Sequence, residues 1–148
     1  MSYYNELKLK FLSLSENEGF ARSSVASFCL PLNPSVEVIT DIKTAVSEAV
    51  TNCVVHAYPN TVGKIEIIVK LSNNQIYISV KDFGVGISDV TKAKEPFFTS
   101  KPESERSGMG FTVMESFMDS VLVTSKLNYG TEVVLVKNLE EVSKAVGG

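Results

Sequence analysis

Residues 64–81 read Lys64-Ile65-Glu66-Ile67-Ile68-Val69-Lys70-Leu71, then Ser72-Asn73-Asn74, then Gln75-Ile76-Tyr77-Ile78-Ser79-Val80-Lys81. Two β-branched runs flank a short polar break, which is a hairpin signal. Strands that follow one another without a helix between them break any strict βαβ alternation and argue for an α+β chain. Downstream, a second hairpin is expected from residues 121–126 to 131–137 across Asn128-Tyr129-Gly130. Upstream, Leu7-Lys8-Leu9-Lys10-Phe11 alternates apolar and charged residues, as a half-buried strand does. The architecture expected is one mixed, largely antiparallel sheet with helices covering one face.

The helices fall around these strands. Ser15-Glu16-Asn17-Glu18 reads as a capping box, with Ser15 as the cap and Glu18 reaching back. The helix it opens should run to about Leu30 and turn Phe20, Ala21, Val25 and Phe28 toward the core. Asn33-Pro34 looks like a cap followed by proline at the first helical position. The longest helix should extend from there to about Ala57, roughly 36 Å, and end at Pro59-Asn60. Its core face is Ile42, Ala45, Val46, Ala49, Val50, Cys53 and Ala57 at helical spacing. A further helix should start near Gly110 and run to about Met118, and residues 140–146 suit a terminal one. Between residues 88 and 107 there is little periodicity beyond a short helix near 89–94, and Pro96 and Pro102 interrupt the stretch. An irregular segment of this length is usually a functional lid or is disordered; a lid over about 88–109 is the reading adopted.

Composition bounds the function. A chain of 148 residues, 44% hydrophobic and 21% charged, is an ordinary globular mixture that builds one core, so a single domain over 1–148 is expected. No apolar run approaches the roughly 20 residues a membrane-spanning helix needs. Met1-Ser2-Tyr3-Tyr4-Asn5-Glu6 has no basic region leading into an apolar core, so a cytoplasmic location is expected. A net charge of −3 argues against duplex nucleic acid as the main partner. Cys29 and Cys53 are too few and too isolated for a disulfide framework or a zinc site, and buried free thiols are expected.

Four constellations bear on chemistry. In the long helix, Glu48, Asn52 and His56 step by only about 40° each and share one stripe. A carboxylate and a carboxamide one turn apart can serve a magnesium ion directly or through its waters. The same spacing also suits a solvated Glu48 and a satisfied core His56. Asp82-Phe83-Gly84-Val85-Gly86 follows a strand. Its glycines permit close backbone approach to a ligand, and its aspartate can accept from an exocyclic amine, although a plain tight turn fits as well. Ser107-Gly108-Met109-Gly110-Phe111 opens a helix whose N–H groups can hold an anion. Thr99, Ser100, Lys101, Ser104 and Arg106 precede it as donors and cations suited to phosphates, or to a solvated polar loop. Gly130-Thr131 starts the last strand and by itself is only a turn. There is no GxxxxGK[ST] phosphate loop and no protein-kinase catalytic loop, so any ATP site belongs to another fold.

Taken in order, the four pieces resemble the GHKL ATP-binding superfamily. Glu48-xxx-Asn52-xxx-His56 is similar to its N box, Asp82-x-Gly84-x-Gly86 to its first glycine box, Gly108-x-Gly110 to its second, and Gly130-Thr131 to its late glycine–threonine element. The strings at 46–52, 96–103 and 105–115, with Ser15-Glu16-Asn17-Glu18-Gly19-Phe20-Ala21-Arg22, resemble the anti-sigma-F branch found in spore-forming bacteria, from about residue 5 to about 138. That resemblance implies a two-layer α/β sandwich, ATP or ADP with Mg2+, and a dimer that binds a sporulation sigma factor. It also implies serine-kinase activity toward an anti-anti-sigma protein. By position, Glu48 would be the general base, Asn52 the magnesium ligand and Asp82 the acceptor for the adenine amino group. Gly84 and Gly86 would shape the nucleotide loop, Gly108 and Gly110 would approach the phosphates, and Thr131 would help at the adenine end. Thr99, Lys101 and Arg106 would belong to the lid, the two cations near the γ-phosphate. Arg22, on position alone, is a candidate for partner contact. Phe83, Phe97-Phe98 and Ser100 depart from the family pattern without removing a chemical group. Two other readings stay open: a nucleotide-gated sigma-binding module without kinase activity, and a kinase serving a stress sigma factor.

Overall fold

The computed structural model describes residues 2–90 and 110–139. Most of the lid expected over about 88–109, most of the short helix expected near 89–94, and the helix expected at 140–146 therefore lie outside the described residues. Five strands form one sheet in the order β1-β2-β3-β5-β4: β1 (Asn5–Leu12), β2 (Lys64–Ser72), β3 (Gln75–Asp82), β4 (Ser120–Lys126) and β5 (Gly130–Asn138). Both expected hairpins are present. The sheet is not mixed, because every pairing is antiparallel. The reason lies in the connections. Two helices, α1 (Asn17–Cys29) and α2 (Val36–Asn52), separate β1 from β2, so the chain returns reversed. Among the described residues, the helix α3 (Gly110–Phe117) lies between β3 and β4, which run parallel but are kept apart by β5.

Strand alternation decides which side chains meet the helices. One row runs unbroken across the sheet as Leu9, Ile67, Val80, Val133 and Val123, and the next as Leu7, Val69, Ile78, Leu135 and Val121. These rows pack with Val25, Ile42, Val46, Val50, Phe111 and Met114 into one core. Ile76, Ile78 and Val80 face the same way, and two residues further on the period places Asp82 there too, only 5% exposed. A carboxylate is thereby set at the rim of an apolar core. Lys137 of β5 ties the layers together, reaching Asp41 of α2 at 3.1 Å and the Phe117 carbonyl at 2.6 Å.

Helix ends differ from expectation. Ser15 does not cap α1 with its side chain, and Glu18 turns to Arg22 and Ser47 instead of back to the first turn. Ser35, not Asn33, caps α2: its hydroxyl accepts from the Val38 N–H at 3.1 Å. Asn33 instead takes a left-handed φ of 56° after the 3-10 turn Leu30–Leu32. Phe20 was expected in the core but is exposed. The buried face of α1 is the stripe Ala21, Val25 and Cys29 with Ala26, and Phe20 falls outside it. The long helix also ends early as an α-helix: residues Cys53–Ala57 form a π turn. The regular step that aligned Glu48 and Asn52 stops there, so the stripe does not carry on to His56 with the same geometry. Both cysteines are buried free thiols, as expected.

Candidate functional site

The site is assembled where the π turn meets the end of β3. Oδ1 of Asp82 accepts the Gly84 N–H at 3.0 Å and the Thr131 N–H at 3.2 Å. Burial raises the Asp82 pKa above its ordinary value, while these two N–H groups and the Cys53 thiol act in the opposite direction. The Cys53 thiol is pushed well up, first by its own burial and then by the Asp82 charge. Asp82, Gly84 and Thr131, chosen from three separate positions in the sequence, are thus brought to one carboxylate.

The glycines are needed for contact as well as conformation. A β-carbon at position 84 would lie 2.0 Å from the Ala57 carbonyl oxygen, which accepts the Val85 N–H at 2.9 Å. Gly86 sits at φ +77°, and a β-carbon there would lie 2.3 Å from the Lys126 carbonyl oxygen. Gly130, at φ +127°, lets β5 begin directly beside the backbone of Asp82. The Ser125 hydroxyl is 2.8 Å from that of Thr131 and accepts the Ile87 N–H at 2.7 Å. Two tight loops are therefore locked around the Asp82 carboxylate.

Glu48 and Asn52 share a face of α2, as the sequence predicts. The Asn52 carboxamide lies against Gly110 at the start of α3: a β-carbon there would be 3.0 Å from Nδ2 and 3.1 Å from Oδ1. Glu48 is half-buried and opens on a polar cleft of about 540 Å³ between α1 and α2. Arg22 lines the same cleft, its Nη1 donating to Glu18 at 3.2 Å and to the Ser47 hydroxyl at 3.4 Å. The Ser47 hydroxyl also donates to Glu18. Arg22 is thus held beside Glu48 by internal partners. Thr99, Lys101, Arg106 and Gly108 lie outside the described residues.

Comparison with known proteins adds to this geometry. A family model described as a histidine kinase-like ATPase domain matches residues 13–137. The anti-sigma F factor of Clostridium perfringens strain SM101 is 53% identical over 136 residues, covering 91% of this chain and 97% of the relative. The chain belongs to the anti-sigma F factors of the histidine kinase-like ATPase family. The anti-sigma F factors of Caldanaerobacter subterraneus and Bacillus subtilis are 55% and 50% identical over 137 and 143 residues, covering 93% and 96% of this chain and 96% and 97% of their own lengths. Among solved structures, the RsbU and RsbW domains of Rv1364c from Mycobacterium tuberculosis match with a TM-score of 0.68 at 19% identity. That match covers 92% of this chain and about a third (33%) of the longer protein, and shows the fold alone. The GHKL-type fold and the family read from the boxes are both borne out, and the ATPase domain implies nucleotide binding.

Sequence reasoning missed three contributors: the Ala57 carbonyl, the Tyr58 hydroxyl and the Ser125 hydroxyl. Tyr58 accepts the Phe83 N–H at 2.7 Å and donates to the Lys64 carbonyl. None carries a motif. The π turn that presents the first two has no signature in composition or period. Among the described residues no helix is long and apolar enough to cross a membrane.

Proposed function

We propose that this chain is an anti-sigma factor that sequesters a sporulation sigma factor and also transfers the γ-phosphate of ATP to a serine of an anti-anti-sigma protein. The observation that carries the reading is the helix α2 itself. The π turn that follows it sets the Cys53 thiol against the buried Asp82 carboxylate. Its last residue, Asn52, lies against Gly110, and one turn earlier Glu48 opens on a polar cleft.

The residues fit a purine nucleotide. With Oδ1 taken by two N–H donors, the Asp82 carboxylate is oriented to accept from an amino group through its other oxygen. Thr131 and the glycines at 84 and 86 complete that end, while Gly108 and Gly110 would offer backbone approach to phosphates. Among the described residues no cluster of three or more His, Cys, Asp or Glu forms a metal cage. Asn52 would hold magnesium through its carboxamide, together with phosphate oxygens of the nucleotide. When bound, magnesium ATP supplies the phosphoryl group and neutralisation of its charge. Glu48 accepts the proton of the incoming serine hydroxyl, which needs hydrogen-bond reach from the cleft side. Lys101 and Arg106 bring lid charge to the γ-phosphate, and Thr99 joins them. Arg22, on the cleft wall beside Glu48, contacts the protein partner. The chain acts as one domain over 1–148, as a cytoplasmic homodimer.

The test is label transfer from γ-labelled ATP with magnesium onto the host's anti-anti-sigma protein, wild type beside Glu48→Gln. Acid-stable label on serine, reduced about 10²–10⁴-fold in the variant with ATP binding intact, is the expected result. No transfer by the wild type, despite nucleotide binding and sigma-factor capture, would make this a nucleotide-gated binding module.

A further inference from the structure

The segment from Cys53 to Tyr58 touches the end of β3 and the loop after it at three points, Asp82, Phe83 and Val85. The Cys53 thiol hydrogen-bonds the Asp82 carboxylate. The Ala57 carbonyl accepts from Val85, and the Tyr58 hydroxyl accepts from Phe83. An α-helix continued to residue 58 would step these groups around its axis. The π turn Cys53–Ala57 widens the last turn, and residues 53, 57 and 58 all reach one four-residue loop.

Of the three, the tyrosine is the contact that spans elements. Its hydroxyl donates to the Lys64 carbonyl at the start of β2 while it accepts from Phe83, so both its capacities are used across two chain segments. Its ring has a bed made for it: a β-carbon at Gly63 would lie 2.2 Å from Tyr58 Cε1. Fixing the Phe83 N–H fixes the peptide plane that follows Asp82. That in turn restrains the backbone from which the Asp82 side chain leaves and the Gly84 N–H that holds its carboxylate.

We propose that Tyr58 is a positioning residue that latches the loop at residues 82–85 and thereby sets the Asp82 carboxylate for selection of the nucleotide base. The inference rests on the reading of Asp82 as the acceptor for the adenine amino group. A latch of this kind acts on base choice more than on phosphate binding, because its contacts are confined to the loop that carries Asp82. A loss of global stability alone would lower the folded fraction for every nucleotide alike, leaving their ratio unchanged.

The experiment compares wild type, Tyr58→Phe and Asp82→Asn by titration with fluorescent ATP and GTP analogues, and by thermal melting without nucleotide. Tyr58→Phe keeps the ring over Gly63 and removes only the hydroxyl. The expected result is an ATP affinity about three- to tenfold weaker, with the ATP-over-GTP ratio falling by a similar factor. An unchanged ratio in Tyr58→Phe, while Asp82→Asn abolishes the preference for ATP, overturns the latch and leaves the Asp82 reading standing. A preference for ATP that survives Asp82→Asn removes the Asp82 reading and this inference with it. Amide exchange in the wild type tests the latch without any variant. The Phe83 N–H is expected to exchange slowly in the nucleotide-free protein, and exchange at the rate of an unprotected amide would overturn the proposal.

Discussion

The two ends of the site on α2 are built on opposite principles. Around Asp82 the chain is buried and crowded: backbone N–H groups, a buried thiol and a carbonyl meet beside a loop where no β-carbon fits at position 84. Around Glu48 it is open and hydroxyl-rich, with Ser23, Thr40, Thr44 and Ser47 lining the cleft alongside Arg22 and Lys43. The first arrangement is held by the chain's own contacts and suits a small rigid base. The second leaves room for a macromolecular surface to bring its own groups. Preorganisation lowers the cost of binding, whereas an open polar wall leaves specificity to the partner's shape and charge.

Three further changes can break or sharpen this contrast. The largest effect is expected from Gly84→Ala, because its β-carbon meets backbone rather than the end of a movable side chain. Denaturant unfolding should show a loss of about 1–3 kcal/mol, and nucleotide binding should fall with it. Wild-type stability and affinity in this variant would mean that the crowded end is not rigid.

Next comes the pH dependence carried by Asp82. Its folded pKa is raised by burial, so the native protein holds that proton more tightly than the unfolded chain does. Its contribution to stability is therefore most favourable when both states are protonated, and is lost as pH rises from the ordinary value of 3.8 through the raised one. Melting temperatures measured across this range should show that downward limb, and Asp82→Asn should flatten it. A limb that persists in the variant assigns the titration to another group.

Arg22→Ala should have the smallest effect and should act only at the open end. Binding of the protein partner is expected to weaken roughly fivefold, about 1 kcal/mol, with ATP affinity unchanged in parallel calorimetric titrations. The reverse pattern would show that the Glu18–Arg22–Ser47 cluster supports the nucleotide end instead.

Much of this organisation is legible in the residues themselves. The period of two in residues 64–81 fixes a hairpin and its buried face, and the helical spacing from Ile42 to Val50 fixes the core side of α2. Both signals are local, because each depends on side chains a few positions apart. The same alternation that buries Ile76, Ile78 and Val80 carries Asp82 to the core side, so a buried carboxylate follows from the strand's period alone. The capping expected of Ser15 and Asn33 does not form, because several residues compete for each role. Glu18 finds stronger partners in Arg22 on its own helix and in Ser47 across the α1–α2 contact, while Ser35 stands two residues nearer the first helical turn.

What the sequence determined by itself was the described strands and helices, most of their buried faces and the four boxes, three of them glycine-bearing. Only the tertiary structure decided that β5 inserts between β3 and β4, which places Thr131 against Asp82. It alone decided that α2 ends in a π turn, which turns the Ala57 carbonyl and the Tyr58 hydroxyl onto the loop after β3. The physical reason is range. Periodicity and propensity act between neighbours, whereas these contacts join residues 25 to 49 positions apart and form only when the whole core has closed.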